Sequence, residues 1–175
     1  MRRVVILGCS GSGKSTLALQ MGARLGLRVV HLDPLYWRPG WQTPHPGDFL
    51  ARVAEAVAGD TWISEGNYRE TFALRMPRAD MVVILDSPRW LCLWRVLRRS
   101  TLERGNRPDL PDDCPEHTDW ELLKFIWRFK RVTWPRIDAA RMEHGSGVPT
   151  VRLRGKRAIR DFLATLLRSP PSPGP

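Results

Sequence analysis

The stretch GCSGSGKST, Gly8 to Thr16, limits what this chain can fold into more than any other. It follows the short apolar run Val4-Val5-Ile6-Leu7 and precedes Leu17-Ala18-Leu19-Gln20, so the local order reads strand, glycine-rich turn, helix. Glycines let a backbone wrap an anion with its N–H groups, and the helix that follows adds its positive end. The spacing from Gly8 through Gly13, Lys14 and Ser15 is a complete Walker A pattern. In that pattern Ser10, Gly11, Ser12 and Gly13 offer loop amides, Lys14 reaches the β- and γ-phosphates, and the Ser15 hydroxyl ligates Mg²⁺. Thr16 is placed for the α-phosphate. Cys9, inside the loop, reads as a small filler rather than a nucleophile. The expected ligand is a nucleoside triphosphate.

Further apolar runs bounded by turn residues recur at 28–32, 61–64, 81–85 and 150–153. They suit strands buried on both faces of a parallel sheet. Helical patterns lie between them at 15–26, 48–58, 87 to about 104, 119–144 and 156–167. Asp48 reads as the N-cap of the second of these, and Ser87-Pro88 as the N-cap and first residue of the third. Pro135 should kink or split the fourth. The expected fold class is α/β: a P-loop NTPase fold with a five-stranded parallel sheet flanked by helices and a lid-like excursion after strand 4. One domain is expected over residues 1–168, with an acceptor segment at about 34–60, a lid region at about 100–120, and a disordered Pro-rich tail at 169–175.

The chain has 175 residues and a net charge of +10, and 18 of its 28 basic residues lie beyond position 86. That bias suits a polyanionic partner, either a nucleotide or a nucleic acid. Three scattered cysteines and four histidines without ligand spacing exclude a disulfide framework and a zinc site. No apolar run is long enough to span a membrane and no leader pattern opens the chain, so a cytoplasmic location is expected.

No Asn-Lys-x-Asp motif is present to read a guanine base, and the chain is short for a motor. Instead a carboxylate, Asp33, ends the second strand, and arginines load the helix after the fourth. Ligands of open α/β sheets sit beyond the carboxyl ends of strands, which makes Asp33 a candidate acceptor residue. Tyr36, Trp37 and Trp41 could stack on an acceptor, and Arg38 could hold an anionic group on it. Glu65 and Asp86 both end strands; Glu65 is favoured for the metal, because Asp86 has a structural role at the start of the next helix. Asn67 and Arg69 follow Glu65 and are further acceptor candidates. Arg95, Arg98, Arg99 and Arg104 sample one side of their helix and could converge on a transferring phosphoryl group. Trp90, Leu93, Trp94 and Leu97 read as the core side of that helix.

Together GCSGSGKSTLA, HLDPLYWRPGW, EGNY, LDSPRWLCLWRVLRR, RPDL followed by CPE, and FIWRF cover most of residues 4–135. As a set they resemble the nucleoside monophosphate kinase-like, adenylate-kinase-related branch of P-loop proteins. Within it they are most similar to the bacterial family labelled "DNA topology modulation protein". Members of that family commonly have Asp where Glu65 stands. The resemblance implies ATP and Mg²⁺ as cofactors and transfer of a phosphoryl group to a small acceptor: nucleotide, nucleoside or other hydroxyl compound. It implies that Asp33 binds the acceptor or takes its proton, that Glu65 lies near Mg²⁺, and that Arg99 and Arg104 belong to a lid. It further implies that Gly155 and Lys156 line the adenine pocket. The family label keeps a second expectation open, a nucleotide-dependent DNA-binding protein.

Overall fold

The computed structural model describes residues 1–102 and 119–166. Arg104, most of the 100–120 segment, the boundary at 168 and the Pro-rich tail lie outside the described residues.

Five parallel strands form one sheet in the order β2-β3-β1-β4-β5. They are β1 (Arg3–Gly8), β2 (Val29–His31), β3 (Trp62–Glu65), β4 (Met81–Leu85) and β5 (Thr150–Leu153). Side chains alternate across a strand, so each strand feeds two cores. Val4 and Ile6 of β1 with Ile63, Val83 and Leu85 face α1 (Lys14–Leu25) and α7 (Gly155–Leu166), where Leu17, Met21 and Leu163 close the layer. Val5 and Leu7 with Trp62, Val82 and Ile84 face the opposite layer. That layer holds α3 (Pro46–Ala56), the short α4 (Phe72–Arg75), α5 (Arg89–Leu102) and α6 (Trp120–Gly145). The short α2 (Leu32–Tyr36) continues directly from β2.

Four local expectations need correction. The cap of α3 is His45, whose Nδ1 accepts from the Gly47 amide; Pro46 opens the helix and Asp48 falls in its first turn. Ser87 does not cap α5: its hydroxyl donates to the Ser12 carbonyl at 3.3 Å, and the helix starts at Arg89. Pro135 does not split α6, which runs unbroken over 26 residues. Pro135 and Arg131 are both exposed, so the carbonyl that loses its partner can turn to water.

The core face of α5 is also different. Trp90, Trp94 and Leu97 are exposed, at 66, 53 and 46 %, while Cys92 and Val96 are buried. The cause is the close approach of α5 to the phosphate loop: a Cβ on Gly11 would stand 2.5 Å from the Cys92 carbonyl oxygen. Only small side chains fit that seam, and the tryptophans turn outward. Trp120 and Trp127 of α6 are exposed as well. Among the described residues no helix is long and apolar enough to cross a membrane.

Candidate functional site

The loop after β1 is shaped for an anion. Gly11 and Gly13 lie at φ 74° and 99°, a region that side-chain-bearing residues avoid. The Ser12 amide donates to the Cys9 carbonyl at 3.1 Å, which tightens the turn. Gly13 stands at the N-cap of α1 with no side-chain cap, and the first turn carries no acidic residue, so the amides there are left for a ligand. The Ser12 hydroxyl is buried without a hydrogen-bond partner among the described residues. Lys14 folds back so that its Nζ donates to the Cys9 carbonyl at 3.3 Å. Cys9 itself is buried, and its hydrogen bond with Cys92 together with burial pushes its thiol far up, which suits a filler and not a nucleophile.

Two neighbours brace this loop. Asn67 clamps Gly8 on both sides of its Cα: the Gly8 amide donates to Oδ1 at 3.1 Å and Nδ2 donates to the Gly8 carbonyl at 2.7 Å. Arg95 donates from one guanidinium nitrogen to the carbonyls of Gly11 and Ser12, at 3.2 and 3.1 Å. Arg98 stacks over exposed Trp94 instead. Arg99 is half-buried one turn beyond Arg95.

Sheet register brings the acidic group to the loop. Glu65 pairs with Ile6 on one side and with His31 on the other. It shares the α1 face with Ile63, and there the Ser15 hydroxyl donates to its Oε1 at 3.1 Å. His31 Nδ1 lies 2.9 Å from the same oxygen. Burial alone would raise the Glu65 pKa, but the His31 hydrogen bond, the Lys14 charge and the Ser15 hydroxyl together lower it below its ordinary 4.5. A carboxylate stays ionised here, next to the hydroxyl that the loop pattern assigns to a cation. Mg²⁺ takes few protein ligands and keeps water and phosphate oxygens, so Ser15 and Glu65 fit it. Asp86, by contrast, is held by Lys130 at 2.6 Å and Arg154 at 2.9 Å, away from Ser15's partners.

Because its folded pKa is depressed, Glu65 contributes stability that is complete above about pH 4.5 and fades as pH falls below that value. Glu65→Gln is therefore expected to flatten the acid limb of a stability–pH curve below pH 4.5. An unchanged acid limb in chemical denaturation would contradict this ion network.

Asp33 stands in the first turn of α2 and is exposed. The Tyr68 hydroxyl donates to its Oδ1 at 2.7 Å. Tyr68 contacts Tyr36 and Phe49, Tyr36 contacts Trp37, and Trp37 contacts Trp41, with ring centroids 4.8–5.3 Å apart. The aromatic residues after β2 thus form one connected wall that starts at Asp33. Arg38 pairs with Asp48 at 2.7 Å, and Arg69 is exposed. Adjacent strands lie about 4.8 Å apart, so the β2-β3-β1 order sets the end of β2, from which α2 carries Asp33, two strand spacings from the end of β1, with β3 and Glu65 between.

Sequence reasoning missed three contributors: His31, Tyr68 and Arg75. Arg75 is fully buried on the other face of β3, where it donates to Thr71 Oγ1, Ser64 Oγ, and the carbonyls of Gly66 and Tyr68. Burial lowers its pKa to about 9 while Glu65 and Glu70 hold it up, so it remains a cation at neutral pH. A lone arginine in a short apolar helix carries no pattern that would reveal this.

A second concavity, about 220 Å³, opens beyond β4 and β5 against Cys9, with Asp86, Lys130, Arg152, Arg154, Phe129 and Trp134 in its lining. Gly155 and Lys156 are not part of that lining.

The fold, a five-stranded parallel sheet flanked by helices, is shared with solved kinases. A gluconokinase from Sinorhizobium meliloti 1021 aligns over 95 % of this chain and 92 % of its own, with TM-score 0.55 and 19 % identity. A shikimate kinase from Acinetobacter baumannii, solved with shikimate, aligns over 96 % and 92 %, with TM-score 0.52 and 20 % identity. Similarity to curated proteins is confined to 32 residues, 62 % identical to tRNA dimethylallyltransferase of Mus musculus and of Homo sapiens. That match spans 18 % of this chain and only 7 % of those enzymes. No family model matches the chain.

Proposed function

We propose that this chain is an ATP- and Mg²⁺-dependent phosphotransferase acting on a small acceptor. The observation that supports it most is the line from the phosphate loop through the Ser15–Glu65 pair to Asp33 and its aromatic wall. In this reading Gly8 through Thr16 hold the triphosphate, and Lys14 leaves the Cys9 carbonyl to donate to the β- and γ-phosphates. Ser15 and Glu65 hold Mg²⁺, which when bound neutralises charge on the phosphate oxygens. Asp33 orients the acceptor hydroxyl and takes its proton as that oxygen attacks the γ-phosphorus in line and the bond to the bridging oxygen of the leaving ADP breaks. Trp37, Arg38, Asn67 and Arg69 border the acceptor; Arg95, Arg99 and Arg104 steady the loop and the moving phosphoryl group. Gly155 and Lys156 contribute to the base end. The gluconokinase and shikimate kinase neighbours are in keeping with this reading.

Asp33→Asn tests it. Turnover with an acceptor is expected to fall about 100-fold, the scale of a general base, while ATP affinity changes little. Near-normal turnover in a folded variant reduces Asp33 to a turn residue.

A second reading is nucleotide-dependent DNA binding, in keeping with the "DNA topology modulation protein" resemblance. Exposed Trp90, Trp94, Trp120 and Trp127 stand on helices that also carry Arg89, Arg98, Arg128 and Arg131, a pairing of rings and cations that single strands can stack on. If that surface binds DNA, Arg98→Ala lowers the salt slope by about one unit. Failure of the wild type to bind single-stranded DNA at low salt ends this reading.

A further inference from the structure

We infer that the concavity between the β4–β5 edge and α6 is a ligand site of its own, built for a small aromatic acid: one ring that carries a carboxylate. The inference stands apart from the phosphotransferase reading.

Register and helix period build the site. β5 is an edge strand of the sheet, and its residues 152 and 154 project to the same side. Arg152 pairs with Ile84 of β4, and the Asp86 amide donates to the Leu153 carbonyl at 3.0 Å, which carries the pairing past the end of β4. On α6, Ile126, Lys130 and Trp134 recur every four residues and form one stripe, with Phe129 beside it. The space between the strand edge and this stripe is about 220 Å³. Its apolar part is Ile84, Ile126 and Phe129, each at most 4 % exposed, with Cys9 of the phosphate loop beside them. The Trp134 ring adds a second aromatic face, its centroid 6.3 Å from that of Phe129. These apolar groups belong to the α5–α6 layer, on the other side of the sheet from α1 and α7.

The charges of the lining do not balance. Asp86 is met by Lys130 at 2.6 Å and by Arg154 Nε at 2.9 Å, and Arg152 stands 3.8 Å away. Burial alone would raise the Asp86 carboxyl, but Lys130 and Arg154 hold it below its ordinary 3.8, so it counts as an anion. Among the described residues the lining holds four cations, Arg89, Lys130, Arg152 and Arg154, against this one carboxylate. An ion pair that only clipped β5 to α6 would need one cation from each element, as Arg154 and Lys130 supply. Arg152 and Arg89 go beyond that need; they lie over the rings of Trp134 and Trp127, at 5.2 and 4.3 Å from the centroids. Clustered cations repel one another, and an incoming anion relieves the repulsion. Arg154 meets Asp86 through Nε alone and Lys130 carries three N–H groups, so both bring further donors to a second carboxylate. Apolar walls with two rings below a cationic rim match a planar ring with one acidic group.

Volume sets the size. Benzene fills a cavity of about 150 Å³, so the space here takes one ring and a carboxylate, and is too small for a nucleotide.

The test titrates benzoate into the wild-type full chain, followed by calorimetry and by tryptophan fluorescence. Benzamide (ring without charge) and acetate (charge without ring) are the matched probes. Benzoate is expected to bind with a Kd of about 1 mM or below, and each matched probe at least about tenfold more weakly. Saturating MgATP is expected to leave benzoate bound. Trp134→Phe is expected to keep the calorimetric binding and to lose most of the fluorescence change, which places the probe in this concavity. The Arg152→Gln/Arg154→Gln double variant is expected to weaken benzoate at least about tenfold; if it fails to fold, the Trp134→Phe and MgATP results decide. No saturable benzoate binding below about 10 mM, equal binding of all three probes, displacement by MgATP, an unaltered fluorescence change in Trp134→Phe, or unchanged affinity in a folded double variant each overturns the inference.

Discussion

Lys14→Ala is expected to lower phosphoryl transfer by about 10³-fold or more while the melting temperature stays within a few degrees of wild type. The two halves of this expectation have separate causes. Lys14 is part-buried and touches the protein through one long hydrogen bond to the Cys9 carbonyl, so the fold loses little without it. The same ammonium is the cation nearest the phosphates in the proposed complex, and removal of a preorganised group at developing charge costs on the order of 10²–10³ or more. Triphosphate affinity should also weaken, because loop amides and the start of α1 remain but the point charge is gone. Wild-type turnover in the variant would remove the phosphate loop from the chemistry.

The second large effect is on stability. Arg75→Met is expected to destabilise the chain by about 3–5 kcal/mol, measured by denaturant titration. The methionine fills part of the volume but leaves Ser64 Oγ and the Gly66 carbonyl without their buried donor, while the Tyr68 carbonyl keeps only its bonds from Thr71. Arg75→Lys should recover little, since one ammonium cannot reproduce a planar fork with several donors. The damage should extend to function, because Gly66–Tyr68 carry Asn67, which clamps Gly8, and Tyr68, which holds Asp33. A loss below about 1 kcal/mol would show that the guanidinium is not what orders this turn.

These two residues mark what the sequence makes legible. Lys14 sits in a motif whose spacing states its own chemistry, and the strands that frame it are short β-branched runs that only a buried sheet accommodates. All five strands fall where the runs place them, within one or two residues. The candidate site was readable where one residue type at one spacing implies a ligand, as with Gly8 to Ser15. It was not readable where register decides. His31 meets Glu65 only because β2 and β3 pair those positions, and Tyr68 meets Asp33 only across a loop and a strand. The α5 face was misread because tryptophan is the larger apolar group, whereas the seam against Gly11 admits only Cys92 and Val96. Asp48 was misread as a cap because His45 and Pro46, three and two residues upstream, take the helix start; Asp48 is then released to pair with Arg38.

The most direct test follows the label from [γ-³²P]ATP and Mg²⁺ in the presence of an acceptor panel, in wild type and Lys14→Ala. Transfer to a small organic phosphate ester, matched by ADP and abolished in the variant, is the expected result. Label found only as inorganic phosphate, or formed equally by the Lys14→Ala protein, would contradict phosphoryl transfer as the activity of this site.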